Sequence, residues 1–537
     1  MSHIELQSIV KELAGQSITT VDELTDFKRR IARQYRIGIL SNNTLLRAYR
    51  QWLTRPNRVM NSNLLDLLRR RKIRTLSGVA VVTVLTKPHS CPGACVYCPT
   101  EARMPKSYLA SEPAAQRALG YKFDPYRQVA GRIAMLQTNG HPTDKIELIV
   151  LGGTWSAYPK RYQTWFIKRC FDAANGRTAS TLSLAQKWNE RTSNRVIGLT
   201  LETRPDWVTP VEVRRLRDLG VTRVQLGVQS THNDVLKLIR RGHTIEDVMT
   251  ATRLLKDAGF KINYHLMPGL PGSNFKKDIE DFDTVFGHPG LKPDFIKLYP
   301  TLVIKSSALY QWWKSGKYKP YTAAQLLKLI PELKKRVPRW VRIERLVRDI
   351  PGNEIEAGSL ATNLRQMLQE RGVVCQCIRC REARNSVVRA HQVKLWTEEY
   401  QTNGGRELFI TFEDKTRAKL YAFCRLRLPN TSVGEVGPAC DKASAGRQPR
   451  LRKLFPSLKG AALIRELHTY GQLIPLKGKG TAVQHLGFGR RLMLEAERVA
   501  KLNGYNKLAV ISGIGVRAYY RKLGYRMEDT YMIKLLS

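Results

Sequence analysis

The stretch Cys91-Pro-Gly-Ala-Cys95-Val-Tyr-Cys98 follows closely on the apolar run Val79-Ala-Val-Val-Thr-Val-Leu85. It places three thiols with C-x3-C-x2-C spacing on the loop that leaves a predicted buried strand. An iron–sulfur cluster is held by thiolates grouped in this way, and three thiolates on a four-iron cluster leave one iron open. The alternatives are a structural zinc site, which usually uses C-x2-C pairs, and three unrelated core cysteines.

On both sides of this loop, residues 76–345 alternate short apolar runs with stretches of helical periodicity. This alternation predicts an α/β fold with a parallel sheet and right-handed crossovers. Six strand–helix units predict a partial (β/α)6 barrel, whose chemistry lies at the carboxyl ends of the strands. The predicted strands are 79–85, 146–151, 196–201, 223–228, 261–266 and 295–299.

Candidate ligand-binding residues lie at the ends of the second and third predicted strands. Gly152 and Gly153 let a ligand approach the backbone closely; a tight turn is the alternative. Glu202 and Arg204 are charges that are rarely buried without partners. They either hold polar groups of a ligand or form a structural ion pair.

The fourth to sixth predicted strands supply three further candidates. Gln229 follows the fourth strand, while His265 and Lys297 lie within the fifth and sixth. Lys297 meets an anionic ligand if it points into the barrel, and is an ordinary amphipathic residue if it points outward; His265 has the same two alternatives. The cysteine spacing resembles the signature of the radical SAM enzymes, which implies that these strand ends bind S-adenosylmethionine (SAM).

Residues 396–537 show a different pattern, which predicts a separate α+β domain with strands at 407–412, 418–426, 463–470 and 507–511 and a helix at 490–502. The segment Gln484-His-Leu-Gly487-Phe-Gly489 precedes this helix. Free backbone N–H groups at a helix start suit a pyrophosphate. The pattern resembles the acetyl-CoA loop of the GNAT acetyltransferases, as does Tyr519-Tyr520-Arg-Lys-Leu-Gly-Tyr525. The alternative for the tyrosines is core packing.

Residues 346–395 are predicted to form a linker with a second cysteine group, Cys375-Gln-Cys377-Ile-Arg-Cys380. Three thiols within six residues indicate a metal site. Zinc needs a fourth ligand, and His391 is a candidate that the sequence does not select. A second iron–sulfur cluster is the alternative.

Residues 1–75 are predicted to form a basic helical arm, because apolar residues recur there at helical spacing. Between Lys28 and Arg74 the chain has fourteen Lys or Arg and one acid, Asp66. This imbalance predicts contact with nucleic-acid phosphates; a solvated helix face is the alternative. The candidate tRNA-binding residues are Lys28, Arg29, Arg30, Arg69, Arg70, Arg71 and Lys72.

The whole chain carries ninety Lys and Arg against forty-five Asp and Glu, a formal charge of +45. Because neutralising phosphates releases counterions, this charge favours nucleic acid as a partner over an anionic membrane; a generally basic proteome is the other explanation. Six of the nine cysteines lie in two groups, which indicates metal sites in a reducing cytosol. No apolar run approaches the ~20 residues of a membrane span, so we expect a cytoplasmic protein without a membrane partner.

A radical SAM barrel joined to a GNAT-like domain resembles the family formed by the catalytic subunit of the Elongator complex and its stand-alone bacterial and archaeal relatives. The resemblance extends from about Ile73 to Lys534. Its motifs are Ile73-Arg-Thr-Leu-Ser-Gly-Val-Ala-Val-Val, Lys87-Pro-His, Asp144-Lys-Ile-Glu-Leu-Ile-Val-Leu-Gly-Gly-Thr154, Glu202-Thr-Arg-Pro-Asp206, Gly227-Val-Gln-Ser230, Arg241-Gly-His243, Lys297-Leu-Tyr-Pro-Thr301, Arg348-Asp-Ile-Pro351, Arg465-Glu-Leu-His468, Val510-Ile-Ser-Gly-Ile-Gly515 and Tyr531-Met-Ile-Lys534.

The resemblance implies conversion of wobble uridine 34 of tRNA to carboxymethyluridine, with acetyl-CoA and SAM. It implies that Cys91, Cys95 and Cys98 hold a [4Fe–4S] cluster. A SAM-derived radical then removes hydrogen from the acetyl methyl group, the acetyl radical adds to C5 of the base, and thioester hydrolysis completes the product. The implied partners are the tRNA anticodon stem-loop, with its base splayed out, an electron donor, and Elongator accessory subunits in a eukaryotic setting.

The resemblance also assigns residues to acetyl-CoA and to catalysis. The positions that match those used for acetyl-CoA are Lys145, Glu466, Leu467, His468, Thr469, Gln484, Gly487, Phe488, Gly489, Arg490 and Tyr520. The candidate catalytic residues are Lys145, His468, Tyr519 and Tyr520, with the Tyr520 hydroxyl near the thioester sulfur.

Three features depart from the family pattern. The first triplet has a compact spacing where eukaryotic members have a longer insertion. The cysteines at 375, 377 and 380 are absent from some eukaryotic members, which favours a structural metal such as zinc. The stretch 434–459 matches poorly and receives no role.

Two other functions are compatible with parts of the chain. One is a protein lysine acetyltransferase with the barrel as scaffold, and the other is a non-catalytic RNA-binding protein with a decayed barrel. The charge of +45 and the intact triplet argue against the first, and the intact triplet also argues against the second.

Overall fold

The structure is a computed structural model that describes residues 3–68, 78–383, 392–430, 454–470 and 487–536. Within these ranges the chain forms a group of N-terminal helices with its own hydrophobic core. It also forms two large sheets, and a second hydrophobic core contains residues from both of them.

The middle of the chain builds the first sheet, in which all neighbouring strands are parallel in the order β1-β2-β3-β4-β5-β6-β8. The predicted partial barrel is confirmed, with a seventh strand that the sequence pattern does not predict. Strands β7 and β9 form a small antiparallel pair. The strands are β1 (Ala80–Leu85), β2 (Lys145–Leu151), β3 (Arg195–Thr203), β4 (Arg223–Gln229), β5 (Lys261–Leu266), β6 (Phe295–Leu298), β7 (Val303–Ile304), β8 (Arg342–Arg345) and β9 (Ile355–Ala357).

Helices connect these strands and cover the sheet. Helix Ile245–Asp257 shows why they form where they do: at its start the Thr244 backbone N–H donates to Asp247 Oδ2 at 2.9 Å, so the Asp247 carboxylate caps the first turn. The helices of this region are Pro113–Gly120, Pro125–Thr138, Lys160–Asn175, Leu182–Asn189, Pro210–Asp218, Asn233–Leu238, Ile245–Asp257, Phe275–Gly287, Leu309–Lys314, Ala323–Lys335, Leu364–Glu370 and Ile378–Arg381.

The N-terminal helices are amphipathic and bury Leu24, Phe27, Leu45 and Tyr49 in a core of their own. The unit touches the barrel where the Arg50 guanidinium donates to the carbonyl oxygen of Gln137. Its helices are His3–Gly15, Val21–Gln34, Asn42–Leu53 and Ser62–Leu68.

The second sheet has the order β10-β11-β12-β13-β14-β16-β15, antiparallel except for the parallel pair β13–β14. It begins at Val393, inside the predicted linker. The strands are β10 (Val393–Thr402), β11 (Gly405–Asp414), β12 (Leu420–Pro429), β13 (Ala461–Thr469), β14 (Lys507–Val510), β15 (Arg526–Glu528) and β16 (Tyr531–Leu535), and the helices are Phe488–Leu502 and Arg517–Arg521.

The loop after β14 lies directly against β3 of the barrel. A side chain at Gly513 would overlap the carbonyl oxygen of Ile197, and one at Gly515 would overlap Arg195. Only glycine permits so close an approach of two backbones, so these two positions fix the spacing between the sheets.

A network of buried charges also joins the two sheets. Asp294, at the start of β6, accepts two hydrogen bonds from Arg465 of β13, at 3.0 and 2.6 Å. Arg465 also reaches Glu407 of β11 at 2.8 Å, which lies 3.1 Å from Lys256 of the barrel. All four side chains are at most 1% exposed. Removing one partner of such a pair strongly destabilises the folded protein, because it leaves the other charge buried and unpaired.

Candidate active site

A cavity of about 1480 Å³ lies between the barrel strands and the second sheet. Its walls include Cys91, Cys95 and Cys98 on one side and His468 and Tyr520 on the other. It exceeds the ~1,000 Å³ of a large small-molecule pocket. The two groups of residues predicted to bind different cofactors therefore share one space.

The cysteine triplet lies on the loop after β1, with all three side chains partly accessible. The Cys95 sulfur accepts a hydrogen bond from Arg241 Nη1 at 3.5 Å, and the Cys91 sulfur lies 3.5 Å from the Gly93 amide. Burial, followed by the neighbouring Cys95 thiol, raises the pKa of Cys98 to about 11. A thiol in this position ionises when a metal binds it. N–H donors aimed at the sulfurs are typical of iron–sulfur ligation, so the loop fits a cluster.

The two glycines after β2 present their amides to Glu202 rather than to open space. Glu202 Oε1 accepts from Gly152 N at 3.1 Å, from Gly153 N at 2.8 Å and from the Tyr108 hydroxyl at 2.7 Å. The carboxylate therefore orders this edge of the cavity. A ligand here meets a Glu202 side chain that is already held in place.

Arg204 makes its ion pair with Asp206, through hydrogen bonds of 2.9 and 2.8 Å, and not with Glu202. The third guanidinium nitrogen, Nη1, is buried and has no hydrogen-bond partner among the described residues. It lies against Gly93 of the cysteine loop, where a side chain would overlap it. Arg204 thus keeps one N–H donor free beside the triplet.

Gln229, at the end of β4, is buried and has a backbone φ of 76°. Non-glycine residues rarely adopt this conformation, and it clusters at binding sites. Its Oε1 has no hydrogen-bond partner in the described ranges, although the residue lines the cavity. An amide oxygen held in this way fits the hydroxyl of a ligand.

Lys297 lines the cavity and therefore points into the barrel. Its Nζ donates to Gln225 Oε1 at 2.6 Å and lies 3.9 Å from Glu344. Burial lowers the pKa of Lys297 to about 8, although Glu344 raises it. His265 also lines the cavity and shares the same Gln225 oxygen at 2.8 Å. The predicted ammonium group is therefore available to an anion at neutral pH.

The end of β13 brings four predicted residues to the cavity: Glu466, Leu467, His468 and Thr469. Glu466 accepts from Arg425 Nε at 2.8 Å, and Arg425 Nη1 lies 3.5 Å from Asp294, so Glu466 joins the buried charge network. His468 stacks on Phe423, with ring centroids 5.7 Å apart. Burial lowers the pKa of His468 to about 4, and its Nε2 has no hydrogen-bond partner among the described residues. The imidazole is therefore neutral and can accept a proton.

Helix Phe488–Leu502 starts at the cavity, with Gly487 as its N-cap at φ 69° and no side-chain cap. Gly487, Gly489 and Arg490 line the cavity. Uncapped amides at a helix start suit a phosphate group. The Phe488 ring stacks on Phe412 at 4.6 Å and is buried in the core, so this predicted residue offers only its backbone. The predicted Gln484 lies outside the described residues.

The remaining predicted catalytic residues also reach the cavity. Tyr520 is buried, and its ring packs edge-on against Tyr519 at 5.3 Å. A side chain at Gly489 would come within 3.0 Å of the Tyr519 hydroxyl, so that hydroxyl lies beside the helix start. Lys145 lies at the start of β2, and burial lowers its pKa.

The second cysteine group brings the sulfurs of Cys375, Cys377 and Cys380 within 4.8 Å of one another. Tetrahedral zinc with Zn–S bonds of about 2.3 Å fits this spacing. No fourth ligand joins them among the described residues, and the predicted His391 lies outside those residues. The segment is tied to the barrel, because Arg379 donates to the Glu344 carbonyl oxygen at 2.6 Å.

The predicted tRNA-binding cations are only partly described. Lys28 donates to Asn42 at 3.0 Å, Arg29 lies 3.4 Å from Asp26, and Arg30 lies 2.6 Å from Glu12. The charges of Arg29 and Arg30 are therefore partly neutralised within the arm. Arg69, Arg70, Arg71 and Lys72 lie outside the described residues.

Two residues of the site received no role from the sequence. Tyr108 holds Glu202, and Arg241 donates to Cys95. Arg241 opens one of the motifs quoted above, but its partner is 146 residues away along the chain. No local pattern predicts such a contact.

The match to known families agrees with this geometry. The Radical SAM superfamily matches residues 86–285, and the Radical SAM C-terminal domain matches residues 293–372. The fold and the cysteine loop therefore define a radical SAM protein.

The chain is 42% identical to the tRNA uridine(34) acetyltransferase of Methanocaldococcus jannaschii, over 96% of this chain and 94% of that protein. It is 39% identical to the human Elongator complex protein 3, over 88% and 87%. The solved structure of Elp3 from Methanocaldococcus infernus, with its N-terminus deleted, matches with a TM-score of 0.71 and 41% identity, covering 86% of this chain and all of that one. The chain belongs to the family of tRNA uridine(34) acetyltransferases and Elongator complex protein 3, as the motifs predicted.

Within the described ranges, no helix combines the length and the apolar character that crossing a membrane requires.

Proposed function

We propose that this chain converts wobble uridine 34 of tRNA to 5-carboxymethyluridine with acetyl-CoA and SAM. The observation that carries the proposal is the single cavity onto which the cysteine triplet and the predicted acetyl-CoA residues both open. Two cofactors can act on one base only if they are held in reach of each other. The name of the archaeal relatives, tRNA uridine(34) acetyltransferase, supports a tRNA substrate.

The charge of the cavity also supports RNA. Sixteen Lys and Arg and seven Asp and Glu line it. An excess of cations in a low-dielectric cleft attracts a polyanion, and a single-stranded loop can present a splayed base there. We assign the arm, residues 1–75, to the tRNA backbone.

Residues of the barrel hold the first cofactor in this proposal. A four-iron cluster on Cys91, Cys95 and Cys98, with SAM, supplies the carbon radical. Lys297 binds the SAM carboxylate, and Gln229 Oε1 accepts from a ribose hydroxyl. Glu202 keeps the glycine pair in position for the methionine group. We assign zinc to the second cysteine group.

Residues of the second sheet hold the acetyl thioester. The helix start at Gly487 binds the pyrophosphate, and Arg490 adds a positive charge. His468 Nε2, which has no hydrogen-bond partner among the described residues, accepts the proton of the water that cleaves the thioester. Tyr520 donates a proton towards the leaving sulfur, and we assign Lys145, which also lines the cavity, to acetyl-CoA.

The decisive experiment is nucleoside mass spectrometry of tRNA incubated anaerobically with reconstituted protein, acetyl-CoA, SAM and a reductant. Carboxymethyluridine should form only when both cofactors are present, and Cys91→Ala should form none. Transfer of acetyl groups to a lysine peptide without SAM, and no change in tRNA, would instead establish the acetyltransferase alternative.

The helix start can be tested separately by acetyl-CoA binding. Gly487→Glu should abolish binding, because it places a carboxylate where the pyrophosphate belongs. Gly504→Glu is the matched control: Gly504 follows the other end of the same helix, also has a positive φ, and also has no atom within 4 Å of an added Cβ. Equal affinities in the two variants would contradict the assignment.

A further inference from the structure

A ladder of four aromatic rings leads from the barrel surface to the cysteine loop. Trp165 and Tyr162 have ring centroids 5.6 Å apart, and Tyr162 stacks on Tyr158 at 5.3 Å. Tyr158 lies 4.6 Å from the ring of His89, which precedes Cys91 by two residues. The ladder therefore ends at the loop that carries the triplet.

The inner rungs are fixed by the backbone that enters this loop. The Tyr158 hydroxyl donates to the Lys87 carbonyl oxygen at 2.8 Å, and the Tyr162 hydroxyl accepts from the Lys87 amide at 3.0 Å. His89 Nε2 lies 3.2 Å from the carbonyl oxygen of Ala157. Tyr158 is 4% exposed, while Tyr162 and His89 on either side of it are partly buried, so the ladder passes beneath the surface at Tyr158.

The outer rung is open to solvent and surrounded by positive charge. Trp165 lies on a surface helix, and this large apolar side chain is 44% exposed. Lys160 and Arg161 on the same helix are exposed, and Lys87 Nζ lies 5.0 Å from the Tyr162 ring. The one acid in this helix, Asp172, is fully buried. The surface around Trp165 is therefore cationic.

This surface lies away from the cavity. The three cysteines line the cavity, but the four residues of the ladder do not. The cysteine loop thus has one side towards the cavity, where the substrates belong, and another towards the ladder. An exposed aromatic ring among cations also suits a nucleobase, but stacking of RNA would not require three further rings that lead inward to the loop.

We propose that the surface formed by Lys87, Lys160, Arg161 and Trp165 docks an acidic one-electron carrier protein, and that the aromatic ladder conducts its electron to the site of the cysteine triplet. The inference rests on the proposed function, which needs a reductant for SAM cleavage. One electron leaves the carrier, which is oxidised, and arrives at the group held by the triplet, which is reduced. No bond forms or breaks along the ladder. Charge complementarity provides the encounter.

Docking can be measured without turnover. Reduced flavodoxin, an acidic flavoprotein, serves as the probe, and its affinity for the full chain is measured at several salt concentrations. Arg161→Glu should weaken binding about tenfold at low salt and much less at high salt, because screening removes the attraction. Lys276→Glu is the control, because Lys276 is 85% exposed on a different helix. Equal affinities of the two variants would overturn the docking surface.

The ladder is tested by the rate at which the reconstituted cluster loses its visible absorbance. At saturating flavodoxin, Trp165→Leu should slow reduction roughly tenfold, whereas dithionite, which needs no docking, should reduce wild type and variant at the same rate. Unchanged reduction by flavodoxin would overturn the route. A loss of tRNA affinity in Trp165→Leu, with normal flavodoxin reduction, would make this an RNA surface instead. Failure of the wild type to hold any cluster would refute the proposed function rather than the docking surface.

Discussion

Asp294 connects the two halves of the molecule at the scale of a single residue. Burial alone would raise its pKa, but the Arg465 and Arg425 guanidiniums lower it well below the usual range. Asp294→Asn should reduce the free energy of unfolding by about 3–5 kcal/mol at neutral pH, because it leaves buried cations without their anion. Denaturant titration followed by fluorescence measures the change.

The sign of the pH dependence follows from the lowered pKa of Asp294. Its contribution is fully present above pH 3.8, the ordinary value, and declines as the pH falls below it, so the two proteins should converge in acid. Glu495→Gln is the control: its partner Arg498 is 60% exposed, and such pairs contribute about 0–1 kcal/mol. An equal loss of stability in both variants would contradict the role of the network.

Lys297 predicts a pH dependence of SAM binding. Because burial lowers its pKa to about 8 from an ordinary 10.5, the ammonium loses its proton above pH 8 and with it the attraction for a carboxylate. Wild-type affinity should fall by up to about tenfold for each pH unit above 8. Lys297→Met should bind SAM more weakly at pH 7 and lose this component. The same slope in both proteins, measured by anaerobic equilibrium dialysis, would exclude Lys297 as the anion site.

Residue identities at the site could be predicted where spacing carries the information. The C-x3-C-x2-C triplet and the Gly487–Gly489 segment are short motifs, and the structure places both on the cavity. The partners that tune them could not be predicted in this way. Arg204 bonds Asp206 instead of Glu202, and that choice depends on side-chain directions that appear only after the strands are aligned.

At the scale of elements, apolar runs predicted the first six barrel strands but not β8. Its sequence, Arg342-Ile-Glu-Arg345, has one apolar residue. Its charged side chains face other charges: Arg342 pairs with Glu382 at 2.8 Å, and Glu344 with Arg223 at 2.5 Å. A strand whose neighbours are buried ions lacks the hydrophobic periodicity on which the prediction depends. The pattern also predicted no strand at β10, because most of the side chains of that strand are exposed or half-buried and it has no buried apolar face.

The cations of the N-terminal helices should contribute to tRNA binding. Replacing Arg29 and Arg30 by Gln should weaken tRNA binding and reduce the slope of log affinity against log salt by about 0.7–0.9 for each phosphate that the arm no longer neutralises. Both arginines have acidic neighbours in the arm. The slope should therefore change by less than the amount expected for the loss of two phosphate contacts. Filter binding at four salt concentrations measures it. Arg498→Gln, on the second sheet's exposed helix face, is the control, and equal slopes in all proteins would argue against the arm.

At the scale of the whole molecule, the spacing of the two sheets should matter more for the coupled reaction than for either binding step. Gly513→Ala forces β3 and the loop after β14 apart, because the added methyl overlaps Ile197. We expect SAM and acetyl-CoA to bind with near-wild-type affinity while carboxymethyluridine formation falls at least about tenfold, since small misplacements of reacting groups are costly.

The control for this prediction is Gly287→Ala, because no atom lies within 4 Å of an added Cβ at that position. Mass spectrometry of the nucleosides and binding of each cofactor are compared for the two variants. Normal product formation by Gly513→Ala would show that the spacing tolerates change, and loss of both cofactors would show a folding defect instead.

The contact of Gly513 with β3 also limits how such chains can be recombined. Consider a chimera that takes its barrel from one relative and its second sheet from another. Its loop after β14 must fit against β3 of the other parent with no side chain at position 513. Its Arg465 must also pair with an Asp294 that comes from the other parent. Crossovers that keep both sides of this contact from one parent avoid that demand. The barrel and the second sheet should therefore be exchanged together, as a single unit, in chimeric proteins.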